Sequence, residues 1–425
     1  MRIQGEAHSS DMKGDAMRRS MDVRLFLRAT LATVLVLGIA SWALAEVCLS
    51  PYIKQRAGLE KYLYVWSIDA DAKDNDFLAV IDVNLASPTH GKILTTIDVG
   101  SKGNEPHHFG FTDDRTRIWA GTLFSNRIFI FDVASDPARP RIVKVLDDLG
   151  KTTGMMGPHT HYALPGRMLV SFLSRADGGL PGGMAEFTND GQFIRAIPNP
   201  ASAPYAYDLA VKPDLNLMVT SSFTPYRNYS KPLSQWDMKD GGNTLLVWDF
   251  KERKLLQTLQ TGPTPLEVRW SLKPKAAYGF TNAALDDSLW MFKRTNGKFT
   301  SKKAADLGKG CLPVDLRQSP DDKYLYVSCF MKNEIQVWDV SKPEKLRLHD
   351  TVVPGVQPNM MHVTSDGKRM YISNSLLSTM DQADRFWVRL AHIGPDGRVK
   401  MDPFFNVSFM EFPGGPARAH DMLLY

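Results

Sequence analysis

The chain has little cysteine, three residues in 425. Three thiols can close one disulfide at most, so cross-linking is not what holds a chain of this size together. It has no run of Lys or Arg. Its 51 basic and 46 acidic residues leave a formal charge of +5. Residues 1–45 carry 6 of the bases and 4 of the acids, so the rest holds 45 against 42, a net +3. A nearly neutral surface of mixed sign excludes an electrostatic footprint for nucleic acid and predicts no acidic partner. After residue 45 no apolar run is long enough to span a bilayer, and no long amphipathic helix pattern interrupts the chain. A content of 43% hydrophobic and 23% charged residues excludes a disordered chain and is ample for a large core. Ten histidines are then the scarce reactive side chains to follow.

The first 45 residues have the pattern of an address. Arg18, Arg19, Arg24 and Arg28 precede a 17-residue apolar run from Ala29 to Ala45, which ends Ala43-Leu44-Ala45. A positive region, an apolar region and a small-x-small end predict a secretory signal over 1–45, with the mature protein over 46–425. A single membrane anchor is the competing reading, and the run sits at the short limit for one. The cleavage pattern favours removal, and so a periplasmic protein with no membrane contact after cleavage. Cys48 follows the cut too late for lipidation at the new terminus and receives no catalytic role.

A turn rich in Asp, Pro and Gly recurs along the rest. It is seen at Thr112-Asp113-Asp114, Leu164-Pro165-Gly166, Lys212-Pro213-Asp214, Lys273-Pro274-Lys275, Ser319-Pro320-Asp321 and Ser365-Asp366-Gly367. Strand-like runs follow each turn, such as Met168-Leu169-Val170-Ser171 and Met370-Tyr371-Ile372-Ser373. A third strand often ends in a hydrophobe-Asp pair, as at Ile81-Asp82, Phe131-Asp132, Trp248-Asp249 and Trp338-Asp339. A fourth, more polar strand closes the unit. This spacing predicts an all-β, seven-bladed β-propeller. Six units are complete. The seventh is assembled from residues 61–99 and the last strand, 418–425, so the C-terminal strand closes the ring and removes the open edges. The Trp-Asp pairs lack the Gly-His partner and the shorter spacing of a WD repeat. Cys311 and Cys329 lie nearly symmetrically about the turn at Pro320, and a disulfide and two buried free thiols are both compatible with that placement.

The first strand of each propeller blade lines the central channel. Six of the ten histidines fall at the starts of these strands: His107, His108, His159, His161, His362 and His420. Wound into a ring, they come from four successive blades, and converging imidazoles suit copper, zinc or iron. In a regular strand His107 and His108 point to opposite sides, so both reach one ion only if the strand starts irregularly. Glu267, Asp315 and Asp208 also face the channel by position. They are acid/base candidates together with His362, although Glu267 with Arg269 and Asp315 with Arg317 could form an ion-paired belt instead. Asp421 is expected to point away from the channel or to orient a neighbouring imidazole. His8, His90, His349 and His392 fall in the leader, in loops or on outer strands.

Glu105-Pro106-His107-His108, Pro158-His159-Thr160-His161, Pro265-Leu266-Glu267-Val268-Arg269, the turn and strand Ser365 to Ser373, and Ala419-His420-Asp421 together resemble the selenium-binding protein family, whose bacterial members include methanethiol oxidases. The resemblance runs from about residue 60 to the C-terminus. It implies a seven-bladed propeller and a copper-dependent oxidase. It also implies that His107, His108, His161 and His420 are the copper-site histidines. The implied reaction converts methanethiol, O₂ and water to formaldehyde, hydrogen sulfide and hydrogen peroxide. Three departures are visible. The second histidine motif is one residue shorter than the family's, which leaves His159 and His161 as alternatives, with His161 favoured because the strand after it aligns without a gap. Val65 stands near the selenium-associated cysteine of animal members, which argues against selenium binding. His362 stands where the family usually has Gln.

A non-redox reading competes: a lactonase-like hydrolase holding a divalent cation through Glu267 and Asp315, or a scaffold with an inert wet channel. A copper-loading maturation partner and homo-oligomerisation are open at this level.

Overall fold

A computed structural model of the chain describes residues 50–237 and 239–425. The expected signal over 1–45, His8 and Cys48 lie outside the described residues. Among the described residues the strands form seven four-stranded antiparallel sheets. Each sheet's innermost strand touches that of the next, all the way round, so the sheets are the blades of a closed propeller. The expected closure is present. In the first blade Ala417–Leu424 is innermost, followed by Tyr62–Asp69, Phe77–Asp82 and Ile93–Asp98. Leu63 pairs with Leu424 and Val65 with Met422, and Tyr425 exchanges backbone hydrogen bonds with Tyr62 at 2.8 and 2.9 Å.

Burial follows from stacking blades face to face. A middle strand has a neighbouring blade on both sides, so Leu78 to Ile81 and Ile118 to Ala120 are apolar without alternation and fully buried. The outermost strand lies on the rim, and Ile93–Asp98 alternates half-buried with exposed residues. Aromatic side chains fill the gaps between blades. Trp66 of the first blade meets Phe129 and Phe131 of the second edge-on, with ring centroids 5.9 and 5.8 Å apart. The hydrophobe-Asp pairs end third strands because the carboxylate accepts a backbone N–H of the following turn. Asp82 accepts from Asn84, Asp132 from Ala134, and Asp339 from Ser341, at 2.9, 3.0 and 3.0 Å.

Cys311 and Cys329 form a disulfide, with Cα atoms 4.3 Å apart, across the first hairpin of the sixth blade. Both are fully buried. Closing a loop of this length contributes about 3 kcal/mol in the chain-entropy picture. Two segments then cover one mouth of the channel. Residues 221–237 of the fourth blade carry the short turns Tyr226–Asn228 and Leu233–Gln235. Residues 374–386 of the seventh blade lie against them, and the Thr379 hydroxyl donates to the Tyr229 carbonyl at 2.7 Å.

Candidate metal centre and its pocket

The channel strands share an irregular start. Glu105, Gly157, Thr264, Leu312 and Gln357 all have left-handed backbones, with φ from 45° to 70°, and each is followed by Pro. After that turn the first hairpin slips register. The slip falls between Pro106 and Phe109, between Pro158 and His161, between Pro265 and Val268, and between Pro313 and Asp315. Such a bulge breaks the strict alternation of side chains. It supplies the irregularity that His107 and His108 need to face one point.

They do so. Ligand atoms of His107, His108 and His159 lie within 4.8 Å of one another. His107 Nε2 is 3.2 Å from His159 Nε2. The His420 ring stacks on that of His107 with centroids 4.0 Å apart. The other nitrogens of two rings are committed. The His420 Nδ1–H donates to the Ser375 carbonyl at 2.9 Å, so its Nε2 presents a lone pair. The His108 Nδ1–H donates to Asp421 Oδ2 at 3.1 Å. Asp421 therefore turns inward rather than away, and its other oxygen accepts from His362 Nε2 at 3.1 Å. Carboxylate-to-imidazole bonds of this kind hold ring orientation and tautomer at metal sites.

His159, not His161, faces the cluster. The His161 ring instead lies over the neighbouring blade at Gly121, where an added Cβ would sit 2.3 Å from His161 Cε1, so only glycine leaves it room. His362 stands one carboxylate away from the cluster. His90, His349 and His392 lie elsewhere: the His349 and His392 rings bond Asp396 and Asp402 on outer strands or loops.

Burial, reinforced by neighbouring imidazoles, depresses the proton affinity of four of these rings. It holds His107 and His159 well below the ordinary imidazole range, and His161 and His420 at about 3. Neutral imidazole is the metal-binding form. Burial pushes the Asp421 carboxyl up, but its bonds to His108 and His362 outweigh that and hold it well below the usual range. His107 Nδ1, His420 Nε2 and both nitrogens of His161 are buried without a hydrogen-bond partner. Leaving such groups unpaired costs about 1–3 kcal/mol each. A soft or borderline metal ion would satisfy lone pairs on the clustered rings, so the donor set fits copper.

The opposite side of the channel is built differently. Arg269 pairs with Asp208 at 2.7 Å, with Glu267, and with Asp315 at 3.9 Å. Arg317 Nε pairs with Asp315 Oδ2 at 2.9 Å. Glu267 and Asp315 thus belong to an ion-paired belt, and guanidinium groups stand where a cation held by these carboxylates would need to be. Burial and the Asp208 charge push Glu267 well above the usual carboxylate range.

Beside the histidines, under the two covering segments, lies a small apolar cavity of about 20 Å³. His107, Tyr207, Tyr229, Trp236, Leu312 and Leu377 are among its walls. Tyr207 packs on His159 with ring centroids 3.8 Å apart. This cavity was not legible in the sequence, because its walls come from four blades and two loops.

The 56 kDa selenium-binding protein (SBP56) family model matches residues 48–425. The chain belongs to the SBP56 family. Among SBP56 relatives, methanethiol oxidase of Hyphomicrobium sp. is 37% identical over 398 residues, 89% of each chain. Methanethiol oxidase of Ruegeria pomeroyi is 34% identical, covering 93% of this chain and 96% of the relative. The crystal structure of a hypothetical selenium-binding protein from Sulfolobus tokodaii superposes with a TM-score of 0.80 at 27% identity, over 87% of this chain and 94% of that one.

Proposed function

We propose that this SBP56 member oxidises methanethiol at a copper ion held by His107, His108, His159 and His420. The observation that carries this reading is the convergence of buried imidazoles from three blades beside a small apolar cavity. A bound copper ion supplies Lewis acidity toward the thiol and redox capacity toward O₂, neither of which an ordinary side chain offers. The proposed balance is methanethiol, O₂ and water to formaldehyde, hydrogen sulfide and hydrogen peroxide. Carbon loses two electrons, O₂ gains two, and the water oxygen ends in formaldehyde.

The chain's own residues set up that chemistry. Asp421 holds the proton on His108 Nδ1, which leaves Nε2 free to bind. The Ser375 carbonyl does the same for His420. His362, on the other oxygen of Asp421, is the acid/base candidate nearest the cluster. Glu267 and Asp315 act through Arg269 and Arg317, fixing the far wall of the channel. Leu377, Trp236 and their neighbours exclude water from the cavity.

The test is elemental analysis of purified protein with peroxide release from methanethiol. About one or more copper per chain and thiol-dependent peroxide are expected. Full turnover in copper-free protein would overturn the reading. We also infer export to the periplasm, supported by the leader pattern and by a disulfide that an oxidising compartment favours. A mature N-terminus at Glu46 is expected from periplasmic fractions, and a cytoplasmic chain retaining residues 1–45 would refute it. Loading of the ion by a maturation partner belongs to the same reading.

A further inference from the structure

We infer that the apolar cavity beside His107 is the thiol-binding pocket, that the Tyr229 hydroxyl donates a hydrogen bond to the thiol sulfur, and that Leu312, Leu377 and Met380 limit the alkyl chain to one carbon. This rests on the oxidase reading and names the site that selects its substrate.

Three independent observations carry it. First, the cavity is small and nearly wholly apolar, walled by Leu266, Leu312, Leu377 and Met380, with His107 as its link to the imidazole cluster. A methyl group gains by entering such a space, and in a space this small each added methylene must displace a wall side chain. A single methylene in a fitted apolar pocket changes discrimination about tenfold or more. Second, Tyr229 is 1% exposed, lines the cavity, and its hydroxyl has no hydrogen-bond partner. A buried hydroxyl left unpaired destabilises the free protein. A ligand with a lone pair entering the cavity would complete it. Burial pushes the Tyr229 phenol well above its usual range, so it stays protonated and keeps a proton to donate to a sulfur lone pair. Third, the covering walls are tied down. The Ser378 backbone N–H donates to Glu105 at 3.0 Å, the Ser378 hydroxyl bonds the same carboxylate, and Thr379 bonds the Tyr229 carbonyl. The carboxylate of Glu105, two residues before His107, therefore holds the segment carrying Leu377 and Met380 over the histidines. Leu312 is fixed from the other side by the adjacent Cys311–Cys329 bridge.

The experiment is an anaerobic titration of the protein as purified with methanethiol, ethanethiol and 1-propanethiol, read by tryptophan fluorescence, since Trp236 lines the cavity. Without O₂ the measurement reports binding and not turnover. The expected order is methanethiol tightest, with 1-propanethiol at least about tenfold weaker. Leu377→Ala should raise the affinity for 1-propanethiol relative to methanethiol at least about tenfold. Met380→Ala is the second variant, in case the first does not fold. Tyr229→Phe should weaken methanethiol about fivefold while raising Tm by about 2 °C, because it removes an unpaired buried hydroxyl. A residue with a merely structural role would not combine weaker binding with higher stability. The proposal is overturned if both wall variants leave the thiol order within twofold of the parent, or if Tyr229→Phe keeps its affinity and lowers Tm. If thiols bind in the expected order but no peroxide is released from methanethiol in air, the oxidase reading fails and the pocket assignment stands.

Discussion

The two sides of the channel occupy equivalent positions on the same kind of strand, yet they solve burial in opposite ways. Blades four to six bring Asp208, Glu267, Arg269, Asp315 and Arg317, and every charge there has a partner within the belt. Blades seven, one, two and three bring imidazoles, and several ring nitrogens there have none. Buried charges must be paired to be tolerated, so the first side is complete in the protein alone. Buried neutral imidazoles can be left open, and an open, convergent set is what a metal-binding site requires. The difference between a structural belt and a functional centre is thus visible as satisfaction of polar groups, not as burial, which is alike on both sides.

That contrast can be broken from either side. Replacing Arg269 with Met leaves three buried carboxylates short of a partner. A loss of about 3–5 kcal/mol in denaturant unfolding is expected, with copper content unchanged. If copper is lost as well, the two sides are not separable. His420→Ala acts on the other side: copper content should collapse and turnover fall at least about a hundredfold, close to 2.7 kcal/mol of transition-state stabilisation. If both copper and turnover survive, the metal assignment is wrong.

Acid separates the two sides without mutation. His161 and His420 hold folded values of about 3 against about 6.5 in the unfolded chain. Below pH 6.5 the unfolded state takes up protons that the folded state refuses. Stability of metal-free protein is therefore present above 6.5 and lost as pH falls toward 3, on the order of 2 kcal/mol for each histidine at pH 5. Glu267 has the opposite sign. Its folded value is raised, so its contribution is present at low pH and lost as pH rises through that value. Urea unfolding at stepped pH should show the acid loss, and substituting His161 with Asn should flatten it. A curve unchanged by that substitution would refute the assignment. The smallest effect is expected from Asp421→Asn. Losing the charge that holds His108 and His362 should lower copper affinity about tenfold, within the range for a group that orients metal ligands, as read by competition with a chelator.

The fold was largely legible along the chain. Turn residues at a steady spacing, β-branched strands after them and a polar fourth strand identified the blades within a few residues, because these are local preferences. The two-part first blade was legible by counting, and the strand Ala417–Leu424 bears it out. The placing of His107, His108 and His420 on adjacent channel strands followed from the same count, but the turn of both His107 and His108 toward one point did not. The choice between His159 and His161 did not, since it depends on where a bulge falls, and an alignment of strands carries no information about a one-residue slip. The inward turn of Asp421 was undecided for a similar reason: strand alternation places it opposite His420, and the irregular pairing at Trp66 and Ser67 turns it inward. The proline that opens five of the channel strands is the sequence signal of that irregularity, visible once the five examples are compared.

The sequence by itself determined the all-β repeat, the family and the supply of histidines to neighbouring blades. Tertiary structure decided which nitrogens converge, that Cys311 and Cys329 are joined, that the carboxylates of the far side belong to arginines, and that two loops leave a small apolar cavity against His107. Periodicity and turn chemistry act over a few residues and can be read along a chain. Convergence, pairing and free volume depend on separations between side chains that lie up to several hundred residues apart, and closing the ring is what brings them together.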